Sequence, residues 1–260
     1  MIFASFFVLL RLFQSGTLAD AACVPDGKNQ SAAPSDDADC APGGNFDLSY
    51  WNLQLPTGTD GNVDIIKTDK LQGCDGYTDE NFFTDEDSGE MVLLAPGDPD
   101  KTGCVTTSGS QHCRTELREV EPDTGKGAAW SPKGENTLKV SMAVDEADKT
   151  AIGQIFVAGK KPLAEMYYNQ DGDISVGCKP NEHDGQKVIN VGNVPLGTSF
   201  EYILSYSSDV LSVTINGKKT KLPTGEWESP KCYFKSGNYN QATSADSAKV
   251  RISAIEVHHS

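Results

Sequence analysis

Residues 111–119 read Gln-His-Cys-Arg-Thr-Glu-Leu-Arg-Glu, and taken as a β-strand this stretch sends successive side chains to opposite faces. His112, Arg114, Glu116 and Arg118 then share one face, while Cys113, Thr115 and Leu117 share the other. An imidazole and two guanidiniums held in register by a carboxylate are costly to bury in a core. They suit the gripping of carboxylates on an acidic polymer, because arginine presents a planar fork of donors. The plainer alternative is an exposed strand decorated with ion pairs, which are common on surfaces and contribute little.

On either side of this stretch the chain keeps the same habit. Short β-type runs recur between turn residues at Thr137–Val144, Ile152–Ala158, Glu165–Tyr168, Phe200–Tyr206, Leu211–Ile215 and Lys249–His258. Asn169-Gln170-Asp171-Gly172 and Asn216-Gly217 are hairpin signals. No long helical periodicity and no fixed repeat appears, so the pattern predicts one all-β domain, a sandwich or barrel-like fold, from residue 45 to 260. Residues 22–44, rich in Ala, Pro, Gly, Ser and Asp, read as a flexible arm. The apolar run Met1–Phe13, followed by Ala19-Asp20-Ala21, reads as a secretory signal peptide over residues 1–21. That run is too short to span a membrane, so no membrane partner is expected.

Seven cysteines, without a C-x-x-C pair, disfavour zinc or dithiol redox chemistry. With a signal peptide they suggest disulfides; Cys23 with Cys40 and Cys104 with Cys113 are the expected pairs, and the odd count leaves at least one thiol unpaired. Asn29-Gln30-Ser31 is a possible glycosylation acceptor. The 37 acidic residues outnumber the 22 basic ones, a net charge of −15, which argues against nucleic acid as a partner.

Further polar groups fall at strand periodicity. Gln154 shares a face with Phe156, although a lone strand glutamine is usually just solvent-facing. In Tyr233–Gln241, alternation aligns Tyr233, Lys235, Gly237, Tyr239 and Gln241, which suits a sugar-binding surface better than a core. The plainer reading is an edge strand with an amphipathic tyrosine. Asp85-Glu86-Asp87 and Asp171-Gly172-Asp173 lack the ligand spacing of a calcium loop. His183, His258 and His259 read as surface residues, and no metal or cofactor is expected. Nucleotide loops, a G-x-S-x-G elbow, an H-E-x-x-H helix and the closely spaced carboxylates of retaining β-sandwich glycosidases are all absent.

Together these segments resemble the polysaccharide lyase family 7 alginate lyases, in order from Phe46 to the C-terminus. Trp51-Asn52-Leu53-Gln54-Leu55-Pro56 resembles the opening W-x-L-x-L-P strand, and Phe82–Pro96 the hairpin that follows. Arg114–Glu119 matches R-[ST]-E-L-R-E, and Tyr233–Gln241 matches Y-F-K-x-G-x-Y-x-Q. One motif departs: the family's Q-[IV]-H reads Gln154-Ile155-Phe156 here. The resemblance implies a β-jelly roll of two antiparallel sheets, concanavalin-like, with a substrate cleft on its concave face. It implies a lyase that cleaves an acidic polysaccharide, most simply alginate, by β-elimination. The signal peptide makes it a secreted protein, a monomer is expected, and Phe156 in the histidine's place points to same-side elimination by Tyr239 and hence to mannuronate-rich polymer. Tyr239, Arg114 and Gln154 are the catalytic residues that the resemblance implies; His112, two residues before Arg114 and hence on its face, is the further catalytic candidate, able to compensate for the missing motif histidine. Lys235, Arg118, Glu116, Tyr233 and Gln241 are its expected substrate contacts. A glucuronan lyase of related fold, a non-catalytic uronate-binding module and a structural cell-wall protein are the alternatives.

A polyanionic substrate approaching a chain of net charge −15 meets global repulsion, which the local cationic row must overcome at short range. Salt screens the long-range part first. Activity at low ionic strength is therefore expected to rise when moderate salt is added. A salt titration of initial rate checks this, and a monotonic fall from the lowest salt upward is the contrary result.

Overall fold

Alternating runs with one apolar face each are stable only when two such faces close on one another. In the computed structural model they do so as two antiparallel sheets. The structure describes residue 1 and residues 38–260, apart from 60 and 229. The signal peptide, the arm as far as residue 37, Cys23 and the Asn29 acceptor lie outside the described residues.

The strands are β1 (Trp51–Thr59), β2 (Asn62–Ile66), β3 (Phe82–Thr84), β4 (Met91–Ala95), β5 (Arg114–Glu119), β6 (Asn136–Glu146), β7 (Lys149–Val157), β8 (Pro162–Asn169), β9 (Asp173–Cys178), β10 (Lys187–Asn193), β11 (Phe200–Ser207), β12 (Val210–Ile215), β13 (Lys218–Lys221), β14 (Cys232–Asn240) and β15 (Ala248–His259). One sheet has the order β10-β9-β8-β7-β14-β5-β1-β2, the other β13-β12-β11-β6-β15-β4-β3. All six runs expected from the sequence are strands. Asn169–Gly172 turns β8 into β9, and Asn216-Gly217 turns β12 into β13 with φ of 46° and 81°, the positive-φ pair a tight hairpin requires.

The core lies between the sheets. Leu53, Leu117, Phe234, Ile155, Met166 and Val176 face it from the first sheet; Leu93, Val250, Val140, Leu204 and Val213 face it from the second. Each contributes about 1.5–3 kcal/mol of burial. Tyr202 crosses this core, its hydroxyl 2.9 Å from Ser236 Oγ and donating to the Ile152 carbonyl at 3.0 Å. In the middle of β14, Gly237 has φ +137°, and a Cβ there would sit 2.8 Å from the Thr115 carbonyl oxygen. Glycine is therefore the residue that lets β14 lie against β5 at this point.

The cysteine pairing differs from expectation in one bridge. Cys104 joins Cys113, but Cys40 joins Cys74. The reason is local: a single helical turn, α1 (Pro42–Asn45), folds Cys40 back onto the segment after β2, where Ala41 N–H bonds the Cys74 carbonyl at 3.0 Å. Residues 40–42 of the composition-defined arm are thus buried against the sandwich. Cys178 and Cys232 are buried free thiols, and burial pushes the Cys178 thiol up to about 11 and the Cys232 thiol up to about 12.

Cys40–Cys74 closes a loop of 34 residues. Replacing Cys74 with Ser is expected to lower stability by about 2–4 kcal/mol, through release of that loop in the unfolded chain. Urea unfolding of the two proteins measures it, and peptide mapping without reduction should recover the Cys40–Cys74 crosslink.

Candidate active site

The outer face of the eight-stranded sheet is polar where the inner face is apolar, because each of its strands alternates. In β5, Thr115 and Leu117 turn inward, while Arg114, Glu116 and Arg118 turn outward. Register then sets a transverse row. Arg118 lies opposite Asn52 of β1 and Lys235 of β14; Lys235 lies opposite Gln154 of β7, and Gln154 opposite Glu165 of β8. Glu116 ties this row together. Its Oε2 accepts from Arg114 Nη1 at 3.1 Å and from Lys235 Nζ at 3.0 Å, and its Oε1 accepts from Gln154 Nε2. Arg114, Glu116, Gln154 and Lys235 are all buried.

Tyr239 stands at the end of the same face, opposite Arg114. The Arg114 guanidinium carbon lies 3.9 Å from the Tyr239 ring centroid. The Tyr239 hydroxyl is 2.8 Å from Ser110 Oγ, and the His112 ring packs edge-on to the tyrosine at 5.9 Å. Tyr233 stacks on Phe156 at 5.3 Å, with the Arg118 guanidinium 4.5 Å from the Tyr233 ring and Lys235 Nζ 5.0 Å from the Phe156 ring.

Two expected positions differ in detail. His112 is not on the strand, whose ladder begins at Arg114; it reaches Tyr239 from the preceding turn, where Ser110 Oγ bonds both its N–H and its carbonyl. Gln241 lies one residue beyond the end of β14, and its amide donates to the Tyr239 carbonyl at 3.1 Å. It braces the backbone of Tyr239 and is not in line with the row. His183 is exposed as expected. His258 and His259 are exposed as expected too, and His259 Nε2 also lies 2.6 Å from Oε1 of the buried Glu119. The length of β15 carries it there.

A family model for alginate lyases matches residues 46–259. The chain belongs to the alginate lyase family. It is 27% identical to an alginate lyase of Klebsiella pneumoniae, over 88% of this chain and 92% of that one. Its fold is similar to alginate lyase A1-II′, a member of polysaccharide lyase family 7, with TM-score 0.75 and 31% identity over 85% of this chain and 99% of the other. A His-to-Asn, Tyr-to-Phe variant of that lyase has been solved with substrate, GGMG, and matches at TM-score 0.75 and 32% identity over 85% and 97%. An alginate lyase of Pseudomonas aeruginosa matches at TM-score 0.72 and 26% identity over 82% and 99%. The jelly-roll architecture expected from the sequence is that of these structures, and the chain is a polysaccharide lyase.

For such a lyase the electrostatics of the row matter more than its shape. Burial alone would push the Glu116 carboxyl up, but the Lys235 ammonium and the Arg114 guanidinium outweigh it and hold Glu116 below the usual carboxylate range. Lys235 is shifted down by burial and by Arg114, against the pull of Glu116. Glu116 against Arg114, Arg118 and Lys235 leaves the centre of the row net positive, a charge balance that suits an anion. Arg114 Nε and Gln54 Oε1 are buried without a partner. The His112 imidazole is shifted down by burial and then by Arg114, which favours its neutral form, the one able to accept a proton.

Sequence reasoning missed three members of this face: Ser110, Glu165 and Gln54. Nothing in the spacing marks Ser110. Glu165 was read as a strand residue without a role; its carboxylate accepts from Tyr167 Oη at 3.0 Å and from Gln186, and burial raises its pKa. Gln54 stands in the W-x-L-x-L-P strand two residues after Asn52, and period-two alternation would have placed it beside Glu116.

Because Glu116 is held low in the folded chain, its stabilising contribution is present above its unfolded value of ~4.3 and is lost as pH falls through the folded value. Glu116→Gln leaves Arg114 and Lys235 without their counter-charge and is expected to cost on the order of 3–5 kcal/mol near neutrality. That deficit should shrink in acid, where the wild-type carboxylate is itself protonated. Urea unfolding at neutral and strongly acidic pH checks it; an equal deficit at both would contradict the assignment.

Proposed function

We propose that this lyase cleaves mannuronate-rich alginate by β-elimination, with Tyr239 as both the base that removes the C5 proton and the acid that protonates the departing O4. The observation that carries this reading is the convergence of Tyr239, Arg114, Gln154 and His112 on one polar face. Elimination needs a uronate carboxylate neutralised so that C5–H becomes acidic, a base for that proton, and an acid for the leaving oxygen. Arg114 and Gln154, fixed by Glu116, supply the first. Lys235, Arg118 and Tyr233 hold neighbouring sugars, and Gln241 steadies the tyrosine.

Phe156 bears on the substrate. It stands where the family motif carries histidine, and its ring is stacked on Tyr233, so it supplies no proton transfer. In mannuronate the C5 proton and O4 leave from the same side, and one group serves both steps. In guluronate they leave from opposite sides, and a second group is required. His112, shifted towards its neutral form and 5.9 Å from Tyr239, is the one available candidate for that second role among the residues named. The relative's complex with its substrate GGMG supports a polysaccharide substrate.

We also read the enzyme as secreted and monomeric. Two disulfides suit an oxidising compartment. Three of the four sheet edges are guarded against pairing with another chain: β13 carries Lys218, Lys219 and Lys221, β3 spans three residues, and β10 is bulged between Asn190 and Gly192.

The ultraviolet absorbance of unsaturated uronate ends, followed separately on poly-mannuronate, poly-guluronate and glucuronan, tests the proposal. Poly-mannuronate is expected to be cleaved fastest, and Tyr239→Phe to lose roughly 10²–10⁴-fold in kcat while still binding the polymer. Faster cleavage of poly-guluronate would overturn the single-residue mechanism, and its loss in His112→Ala would make His112 the opposite-face base.

A further inference from the structure

Among the described residues, Ser110 is the one that hydrogen-bonds the hydroxyl of Tyr239. Three hydrogen bonds meet at its Oγ: 2.8 Å to Tyr239 Oη, 3.1 Å to the His112 carbonyl, and 3.2 Å from the His112 N–H. A serine hydroxyl has one proton and two lone pairs, so these bonds fix one another. When Tyr239 is neutral, its O–H donates to Ser110, the His112 N–H donates to Ser110, and the Ser110 proton goes to the His112 carbonyl. When Tyr239 is ionised it can only accept. The Ser110 proton then turns from the His112 carbonyl to the phenolate, and the His112 N–H bond persists.

We infer that Ser110 is a positioning residue of the elimination, a donor–acceptor switch that holds the Tyr239 oxygen in place and stabilises it as the phenolate base. This rests on the proposed role of Tyr239. The sequence of events balances: the phenolate takes the C5 proton and becomes phenol, the C4–O4 bond breaks as the C4–C5 double bond forms, and the phenol returns its proton to O4. Ser110 donates to the Tyr239 oxygen before and after the proton's stay there.

The segment is built to keep Ser110 in register. Cys104–Cys113 closes it across nine residues, the Ser110 N–H bonds the Thr107 carbonyl at 2.9 Å, and the Cys113 carbonyl accepts the N–H of Asn240, the residue after Tyr239, at 3.0 Å. Other charged or titratable groups bear on the pair from each neighbouring element. Arg114 of β5 lies over the tyrosine ring, and His112 packs at its edge. Tyr167 of β8 interacts with Tyr239, and Lys149 of β7 lies 4.4 Å from the Tyr167 ring. Asp98 acts on His112 from the turn after β4. None of these gives Tyr239 Oη a hydrogen bond; Ser110 does.

The test is the pH dependence of kcat and KM on poly-mannuronate for wild type, Ser110→Ala, Ser110→Thr and Tyr239→Phe. A hydrogen bond to a charged group corresponds to a factor of roughly 10–100. Ser110→Ala should lose about that in kcat near neutrality, keep KM within about twofold, and recover towards wild type at alkaline pH. Ser110→Thr, which keeps the hydroxyl, should restore most of the loss. A uniform loss at every pH, a loss expressed in KM, or a Ser110→Ala profile that overlies wild type would overturn the inference. Turnover surviving in Tyr239→Phe would instead overturn the underlying role of the tyrosine, so the two failures are distinguishable.

Discussion

The Glu116 carboxylate is the interaction on which the rest of this face depends. A buried ion is tolerated only when its partners are close and its hydrogen-bonding capacity is filled. Glu116 meets that condition by drawing Arg114 from its own strand, Lys235 from β14 and Gln154 from β7. Three strands that pair through backbone bonds are thereby locked at side-chain level, in the middle of the eight-stranded sheet. The consequence is preorganisation. Cations that would otherwise fold back on themselves or into solvent are held in fixed positions, and an arriving anion meets groups already oriented.

The same strand performs a second, opposite task. Glu119, three residues on and facing inward, accepts from Trp130 Nε1 at 2.9 Å and from the backbone N–H of Phe234 at 2.6 Å, and lies against His259. Where Glu116 gathers charge on the outer face, Glu119 closes the inner one, linking β5 to β14 and to the last strand of the other sheet. Two buried carboxylates on one strand divide the motif R-T-E-L-R-E between the polar outer face and the inner packing of the sandwich.

Much of this was legible in the sequence because β-strands have a period of two and the outer face is charged. Alternation alone put Arg114, Glu116 and Arg118 on one side, and the same rule aligned Tyr233, Lys235 and Tyr239. It failed at strand ends, where period no longer governs direction: His112 precedes the ladder and Gln241 follows it, yet both act on Tyr239. It also failed for Cys40, because a bridge to Cys74 depends on how the chain after β2 returns, which no spacing encodes. Ser110 and Glu165 escaped for another reason. Serine in a turn and glutamate in a strand are ordinary residues, and only their partners distinguish them.

Electrostatics sharpen the last point. A chain of net charge −15 that handles an acidic polymer must confine attraction to a short row, and the row has ends. On one side it runs through Lys235 and Gln154 to Glu165, a carboxyl raised by burial and bonded by Tyr167 and Gln186. An ionised Glu165 beside a bound uronate would repel it, whereas a protonated one donates a hydrogen bond to it. Only the ionised state favours the sugar carboxylate nearest Arg114 and Lys235 over one displaced towards β8. The row is therefore most cationic at Arg114, Arg118 and Lys235, and its charge falls off towards β8 to the extent that Glu165 is ionised.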